Sequence, residues 1–262
     1  MLRIRSLKKV FKQEHFEQTV FDNFSLNVNE GDFITIIGSN GAGKSTLLHL
    51  IMGNLFPDEG EILYRGEPIE HLPSYKRSAF ISYVYQDPSV GVAPNLTILE
   101  NLSMVWNKYH RNPFRSGIRR REIELLKEKL ALCQLGLENM LDKKVKTLSG
   151  GQRQAVSLIM SILHKPDILL LDEHTGALDP ATADKILSIT RHLVDSYHVT
   201  TLMVTHNMQQ ALENGNRLLM LDQGTIILDV KGEEKARLTP EDLIERFKQL
   251  KYQSISDRLV LN

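Results

Sequence analysis

The sequence predicts a mixed α/β fold, with a parallel-sheet core, an antiparallel β-subdomain beside it and a helical subdomain inserted into it. Three observations carry this. Phe33–Gly38 is an apolar, β-branched run that passes through a glycine loop straight into the helical stretch Lys44–Met52, the pattern of a buried central strand followed by a helix. Two more strand-like runs, Pro166–Glu173 and Val199–Thr205, alternate with helical stretches. Between them and the first strand, a helical pattern from Thr97 to about Leu141 interrupts the alternation.

Composition bounds the answer. The 262 residues suffice for one large domain or two small ones, and 42% hydrophobic residues are enough for a full core. Lys plus Arg and Asp plus Glu balance at 32 each, so the basic excess of a dedicated nucleic-acid binder is missing and no nucleic-acid partner is expected. The one cysteine, Cys133, rules out an internal disulfide and fits a reducing compartment. No apolar run approaches the ~20 residues that span a bilayer. Met1-Leu2-Arg3-Ile4-Arg5 lacks the apolar core of a signal peptide. A soluble cytoplasmic chain is the expectation.

In chain order, Leu2–Val10 and Thr19–Val28 alternate loosely between apolar and polar residues, as strands of a half-exposed antiparallel sheet do. The polar turn Phe11–Phe16 is expected between them. Phe11 can stack on a purine or simply pack at a strand end, and its ring chemistry allows both. The helix from Lys44 to about Met52 ends at the C-cap Gly53-Asn54. Pro57–Gly60 is a turn. Glu61–Tyr64 and Ile81–Tyr85 are short strands, the second running into Gln86-Asp87-Pro88. In the helical block, Thr97 with Glu100 makes a capping-box start, and Leu125, Leu126, Leu130 and Leu137 recur at helical spacing. Arg111, Arg115, Arg119, Arg120 and Arg121 form a basic cluster, read as a solvated helix face in preference to a lipid or membrane-protein contact.

Helices follow from Ser149 to about His164 and from Ala181 to about Ser196. After Gln209–Asn214, Arg217–Leu221 and Thr225–Val230 form a hairpin around Asp222-Gln223-Gly224. Thr239 caps a last helix with Pro240 in its first turn and an apolar stripe of Leu243, Ile244, Phe247 and Leu250. The division is a domain over residues 1–230, with the helical insertion at about 89–164, and a short helical extension over 231–262 that packs on the body or on a partner.

The chemistry concentrates at strand ends. Gly38, Gly41 and Gly43 let the backbone bend with its N–H groups inward, where phosphate oxygens accept from them. The helix beginning near Lys44 adds its positive dipole end. Lys44 supplies a full charge for the β- and γ-phosphates and Ser45 a hydroxyl for Mg²⁺. Kinases, GTPases and motor ATPases share such a loop, so it does not name the reaction. Asp172 and Glu173 end a buried strand, where ligands bind in parallel sheets. Asp172 can hold Mg²⁺ through water, and Glu173 can take a proton from an attacking water. Leu148-Ser149-Gly150-Gly151-Gln152 opens a helix with Ser149 as N-cap. Gly-Gly there is a poor choice for stability and points to an anion coming close, although alone the segment is ambiguous. His206 ends another strand, and a lone histidine is commonly structural.

Taken together, these segments resemble the ATP-binding cassette family of transporter ATPases over roughly Leu2 to Val230. Five motifs stand in the family's order: the phosphate loop Gly38–Thr46, a glutamine loop at Gln86, the signature Leu148–Gln152, the strand ending in Asp172-Glu173, and His206. The resemblance implies a phosphate-loop NTPase (RecA-like) core, ATP and Mg²⁺ as cofactors, and a head-to-tail dimer of two copies. It implies that Phe11 stacks on adenine and that Gly38, Ser39, Asn40, Gly41, Ala42, Gly43, Lys44, Ser45 and Thr46 cradle the phosphates. Gln86 then senses the γ-phosphate and Mg²⁺ and links them to the inserted helices. Ser149, Gly150, Gly151 and Gln152 grip the γ-phosphate of ATP bound to the second copy, and Asp179 reaches across the interface. The implied catalytic set is Glu173 as base, His206, Lys44 and Gln86, with Ser45, Gln86 and Asp172 toward the metal.

Two departures are visible. His174 stands where most cassettes have proline after the catalytic glutamate, a change not expected to abolish hydrolysis. Ser157-Leu158-Ile159-Met160 replaces an alanine-arginine pattern. With Gln86-Asp87-Pro88 and Gly91-Val92-Ala93-Pro94-Asn95, these features look like a branch of bacterial uptake cassettes associated with amino-acid-type solutes, including tryptophan and tyrosine. The implied role is to power a membrane transporter from the cytoplasmic face of the inner membrane. The partners are transmembrane permease subunits, docked by the inserted helices, and an extracytoplasmic solute-binding protein. The rivals are an export cassette, a soluble cassette ATPase acting on DNA or ribosomes, and a phosphate-loop kinase, which needs neither the signature nor His206.

Overall fold

The computed structural model describes residues 1–13, 16–109 and 118–249. β1 (Leu2–Gln13) and β2 (Phe16–Val28) pair antiparallel and lead to β3 (Phe33–Gly38), the glycine loop and α1 (Lys44–Met52). β4 (Glu59–Tyr64) and β5 (Glu67–Pro68) complete an antiparallel sheet in the order β2-β1-β4-β5. The short α2 (Ser74–Arg77) precedes β6 (Ile81–Val84). Between β6 and β7 lie α3 (Ile98–Tyr109), α4 (Arg120–Ala131), two 3₁₀ turns at Leu137–Asn139 and Val145–Thr147, and α5 (Gly150–Ile162). Then come β7 (Ile168–Asp172), α6 (Pro180–Tyr197), β8 (Thr200–Val204), α7 (Met208–Glu213), β9 (Arg217–Asp222), β10 (Thr225–Lys231) and α8 (Gly232–Ala236), with residues 240–249 helical at the end.

Among the described residues the main sheet runs β10-β9-β3-β8-β7-β6, and only β10 is antiparallel to its neighbour. β8 is buried along its whole length and β7 up to Asp172. Their continuous apolar runs are what a parallel strand covered on both faces requires. Register then places the site. Val204 pairs with both Ile36 and Asp172. The residues that follow these three in their strands therefore emerge side by side at one sheet edge, where ligands bind in open α/β folds.

On one face, Leu47, Leu48, Leu50 and Ile51 of α1 pack with Ile34, Ile36, Leu170 and Leu202 and with the antiparallel sheet. On the other, α3, α4, α5 and α6 bury Leu102, Leu126, Leu130, Ile159 and Leu193 against Leu169 and Leu171, with Cys133 among them. Arg77, fully buried, donates to the carbonyls of Leu50 and Ile51 at the end of α1 and to those of Leu72 and Glu70. It thereby satisfies the last acceptors of the helix that carries the loop.

Several local expectations shift. Phe11 lies within β1 and pairs with Gln18, because the β1–β2 ladder continues past three register shifts to Gln13. β4 begins at Glu59, inside the expected turn, and β5 and α2 have no counterpart in the sequence reading. Leu126 and Leu130 are buried on α4 as their spacing predicts, Leu125 is 37% exposed, and Leu137 is buried from a separate 3₁₀ turn, because the helical pattern breaks after Ala131. Arg119, Arg120 and Arg121 are exposed, as a solvated face demands. Arg111, Arg115 and Leu250 lie outside the described residues. Leu243 is buried against Leu218, Met220 and Val230 of the terminal hairpin, with Phe247 packed beside them. No helix among the described residues is long and apolar enough to cross a membrane.

Candidate active site

The glycine loop leaves β3 under tight constraint. A Cβ on Gly38 would sit 2.3 Å from the Leu221 carbonyl oxygen, and Gly43, at φ 99°, would drive one to 2.7 Å from the Phe21 ring. Only glycine meets both the left-handed backbone and the close approach. Lys44 folds back and donates to the carbonyls of Gly38 (2.9 Å) and Ser39 (3.0 Å). It is 7% exposed, and burial lowers its pKa against the opposing pull of Glu173 and Asp172. The Ser39 hydroxyl donates to Asp222 (2.8 Å), and the Gly224 amide to the Ala42 carbonyl (3.2 Å). The β9–β10 turn therefore braces the loop.

At the end of β7 the two carboxylates diverge. Asp172 Oδ1 accepts from the Ser45 hydroxyl at 3.0 Å and Oδ2 from the Tyr83 hydroxyl at 2.7 Å. Glu173 turns away in a left-handed conformation (φ 43°), an uncommon state for a non-glycine residue and one associated with functional turns. Its Oε2 receives both Gln86 Nε2 (3.5 Å) and His206 Nδ1 (3.3 Å). An ionised carboxylate only accepts, so Nδ1 carries the hydrogen in that contact.

A cleft of about 410 Å³ is lined by Phe11, Gln18, Val20, Asn40, Gly41, Gly43, Lys44, Ser45, Thr46 and Glu173. Phe11 forms part of its wall, with Lys9 Nζ 5.6 Å from the ring centre. A second cleft of about 200 Å³ on the other side of Glu173 includes Thr175, Gly176, Leu178, Thr205 and His206. None of Leu148–Gln152 is among the described residues lining the first cleft. These residues instead form a self-contained helix start. Ser149 accepts from the Gln152 amide (3.2 Å), and Gln152 Oε1 accepts from the Ser149 amide (3.1 Å), a reciprocal capping box. Gly151 has a packing reason of its own, since a Cβ there would meet Thr182 Cγ2 at 2.2 Å, whereas at Gly150 the nearest atom is 3.4 Å away. Asp179 caps α6 through the Thr182 amide (3.1 Å), and these Thr182 hydrogen bonds hold its carboxyl below the usual range.

His174 is buried, with Nε2 3.1 Å from Thr190 Oγ1. The Thr190 hydroxyl proton goes to the Ile186 carbonyl, so the imidazole donates through Nε2. Burial pushes its pKa down to about 4, leaving it neutral. Sequence reading missed Tyr83 and Asp222, which brace the site, and Gln18 and Val20 on the cleft wall. For Tyr83 a signal existed: Ile81, Tyr83 and Tyr85 alternate on one strand face just before Gln86.

The sequence profile described as ABC transporter matches residues 21–176. The chain is 46% identical over 248 residues to the tyrosine transport ATP-binding protein of Clostridioides difficile (strain R20291), covering 94% of this chain and 98% of that one. It is 34% identical over 233 residues to the spermidine/putrescine import ATP-binding protein PotA of Mannheimia succiniciproducens, covering 87% of this chain but 57% of the relative. Among solved structures it matches the dimeric post-hydrolysis state of the ATP-binding cassette MJ0796 bound to ADP and Pi, with TM-score 0.76, 31% identity and coverage of 91% and 100% of the two chains. It also matches the ADP conformation of the cassette MJ1267, with TM-score 0.75, 27% identity and coverage of 94% and 98%.

Proposed function

The chain belongs to the ABC transporter family of ATP-binding cassettes, and we propose that it is the ATP-hydrolysing subunit of a bacterial uptake system for tyrosine or a chemically related amino acid. As a member of that family it binds ATP, works as a dimer with transmembrane permease subunits, and couples hydrolysis to transport. The solute assignment rests on the 46% identity to the tyrosine transport cassette, which spans nearly all of both chains. An extracytoplasmic solute-binding protein and attachment at the cytoplasmic face of the inner membrane belong to the same proposal.

In the proposed site the loop amides and Lys44 hold the β- and γ-phosphates, and the adenine stacks on Phe11. Ser45 and Asp172 fit Mg²⁺, since two hard oxygen atoms lie 3.0 Å apart beside the loop lysine. Magnesium, when bound, neutralises charge on the transferring phosphoryl group. Glu173 is the general base. Gln86 and His206 both engage Oε2, which leaves Oε1 to take the proton of the attacking water. The signature of the second copy closes over the γ-phosphate, directing the N-terminus of α5 at it.

The single observation behind the catalytic reading is that Gln86 and His206 converge on one carboxylate oxygen of Glu173, at the edge where Ser45 meets Asp172. Losing a general base typically lowers rates by about 10²–10⁴. Glu173→Gln is expected to bind ATP and dimerise while turnover drops by that factor in a phosphate-release assay; wild-type turnover would overturn the assignment. Purification from membranes in mild detergent tests the transporter role, with a solute-binding chain among the co-purified subunits as the expected outcome.

A further inference from the structure

We propose that Tyr83 is a positioning residue for the metal site: its hydroxyl locks the Asp172 carboxylate in the orientation that faces Oδ1 toward Ser45, a role that rests on the reading of Asp172 as metal-facing. Register explains how a residue from another strand reaches that carboxylate. Tyr83 pairs with Leu170, and Asp172 is the next β7 residue on the same face. Two residues along a strand span about 6.5 Å, which a phenol laid along the strand direction bridges. The hydroxyl arrives 2.7 Å from Oδ2, within the range of a short charge-assisted bond.

The ring itself is fixed on two sides. It stacks on His49 of α1 with centroids 5.4 Å apart and planes at 6°, and tilts against Tyr85 at 4.5 Å. A phenylalanine fills the same slot but leaves Oδ2 without its donor, so the carboxylate is free to rotate away from Ser45. The same ring touches the helix that begins at Lys44 and the residue preceding Gln86. Asp172 orientation, loop helix and glutamine loop thus share one side chain. Partners that orient a metal ligand typically change metal affinity 10–100-fold when removed.

The test is a Mg²⁺ titration of fluorescent ATP-analogue binding to the full chain, with a parallel measurement in chelator. Tyr83→Phe is expected to shift the Mg²⁺ midpoint upward about tenfold while metal-free nucleotide affinity stays at the wild-type value. Asp172→Asn, run beside it, is expected to shift the midpoint at least as far. An unchanged midpoint in Tyr83→Phe with a shifted one in Asp172→Asn would overturn the role of Tyr83 and leave the metal site standing. No shift in either variant would overturn the assignment of Asp172 itself. An equal loss of affinity with and without Mg²⁺ in Tyr83→Phe would mark the tyrosine as packing only and also overturn the proposal. Should Tyr83→Phe fold poorly, Tyr83→Met fills the slot without a hydroxyl and carries the same readout.

Discussion

The phosphate-loop face and the signature face of this chain are held in place by different kinds of interaction. At the phosphate loop, groups distant in sequence are cross-linked: Ser39 to Asp222, Ser45 to Asp172, Asp172 to Tyr83, and Glu173 to both Gln86 and His206. At the signature, the polar contacts are local. Ser149 and Gln152 satisfy each other, and Asp179 caps its own helix. One face is organised by sheet register and the other by helix-capping chemistry. The first assembles a site within the chain, whereas the second presents a rigid helix end whose proposed ligand lies on another copy.

The contrast breaks most sharply at Lys44. Removing a charge that stabilises the transition state typically lowers turnover by about 10²–10³. Lys44→Ala is expected to show that loss in steady-state ATPase assays, with ATP affinity falling as well. Residual turnover near wild type would mean that the cross-linked face is not where the chemistry happens. The signature face is sharpened by its two glycines. Gly151→Ala forces a methyl against Thr182 and is expected to destabilise the fold by about 1–3 kcal/mol through overpacking. Gly150→Ala, with Leu178 at ordinary distance, is expected to leave the denaturant midpoint nearly unchanged and to impair ATP-driven dimerisation instead. Equal stability losses at both positions would erase the distinction between a packing glycine and a ligand-facing one.

The smallest effect concerns acid stability. Burial holds His164 and His174 at about 4, below their ordinary 6.5. The unfolded chain therefore binds more protons than the folded one between those values, and stability falls as pH drops from about 6.5 to 4. The carboxylates of Asp87 and Asp179, lowered from 3.8 by hydrogen bonds from Ser89 and Thr182, act in a lower window. His164→Gln is expected to flatten the fall in melting temperature between pH 6.5 and 4; an unchanged slope would contradict the burial argument.

Legibility in the sequence follows the same divide. The phosphate loop, the signature, the capping box at Thr97–Glu100 and the N-cap at Ser149 were readable because their partners sit within a few residues of each other. Tyr83 and Asp172 are 89 positions apart and Ser39 and Asp222 are 183 apart; only the sheet register brings them together. The continuation of β1 through Phe11 depends on a ladder that local polarity does not reveal. No local pattern marks Arg77, whose four carbonyl acceptors come from Leu50, Ile51, Glu70 and Leu72. Gly151 taught the reverse lesson, because the Gly-Gly pair pointed to an anion and one of its members answers to Thr182.

The composite site itself is tested most directly by the solution mass of Glu173→Gln, measured by light scattering with and without ATP. The mass should double with ATP, and adding Ser149→Arg should abolish the doubling while ATP still binds each chain with unchanged affinity. A Glu173→Gln chain that stays single with saturating ATP, or a Ser149→Arg double variant that pairs as well as its parent, would contradict the account.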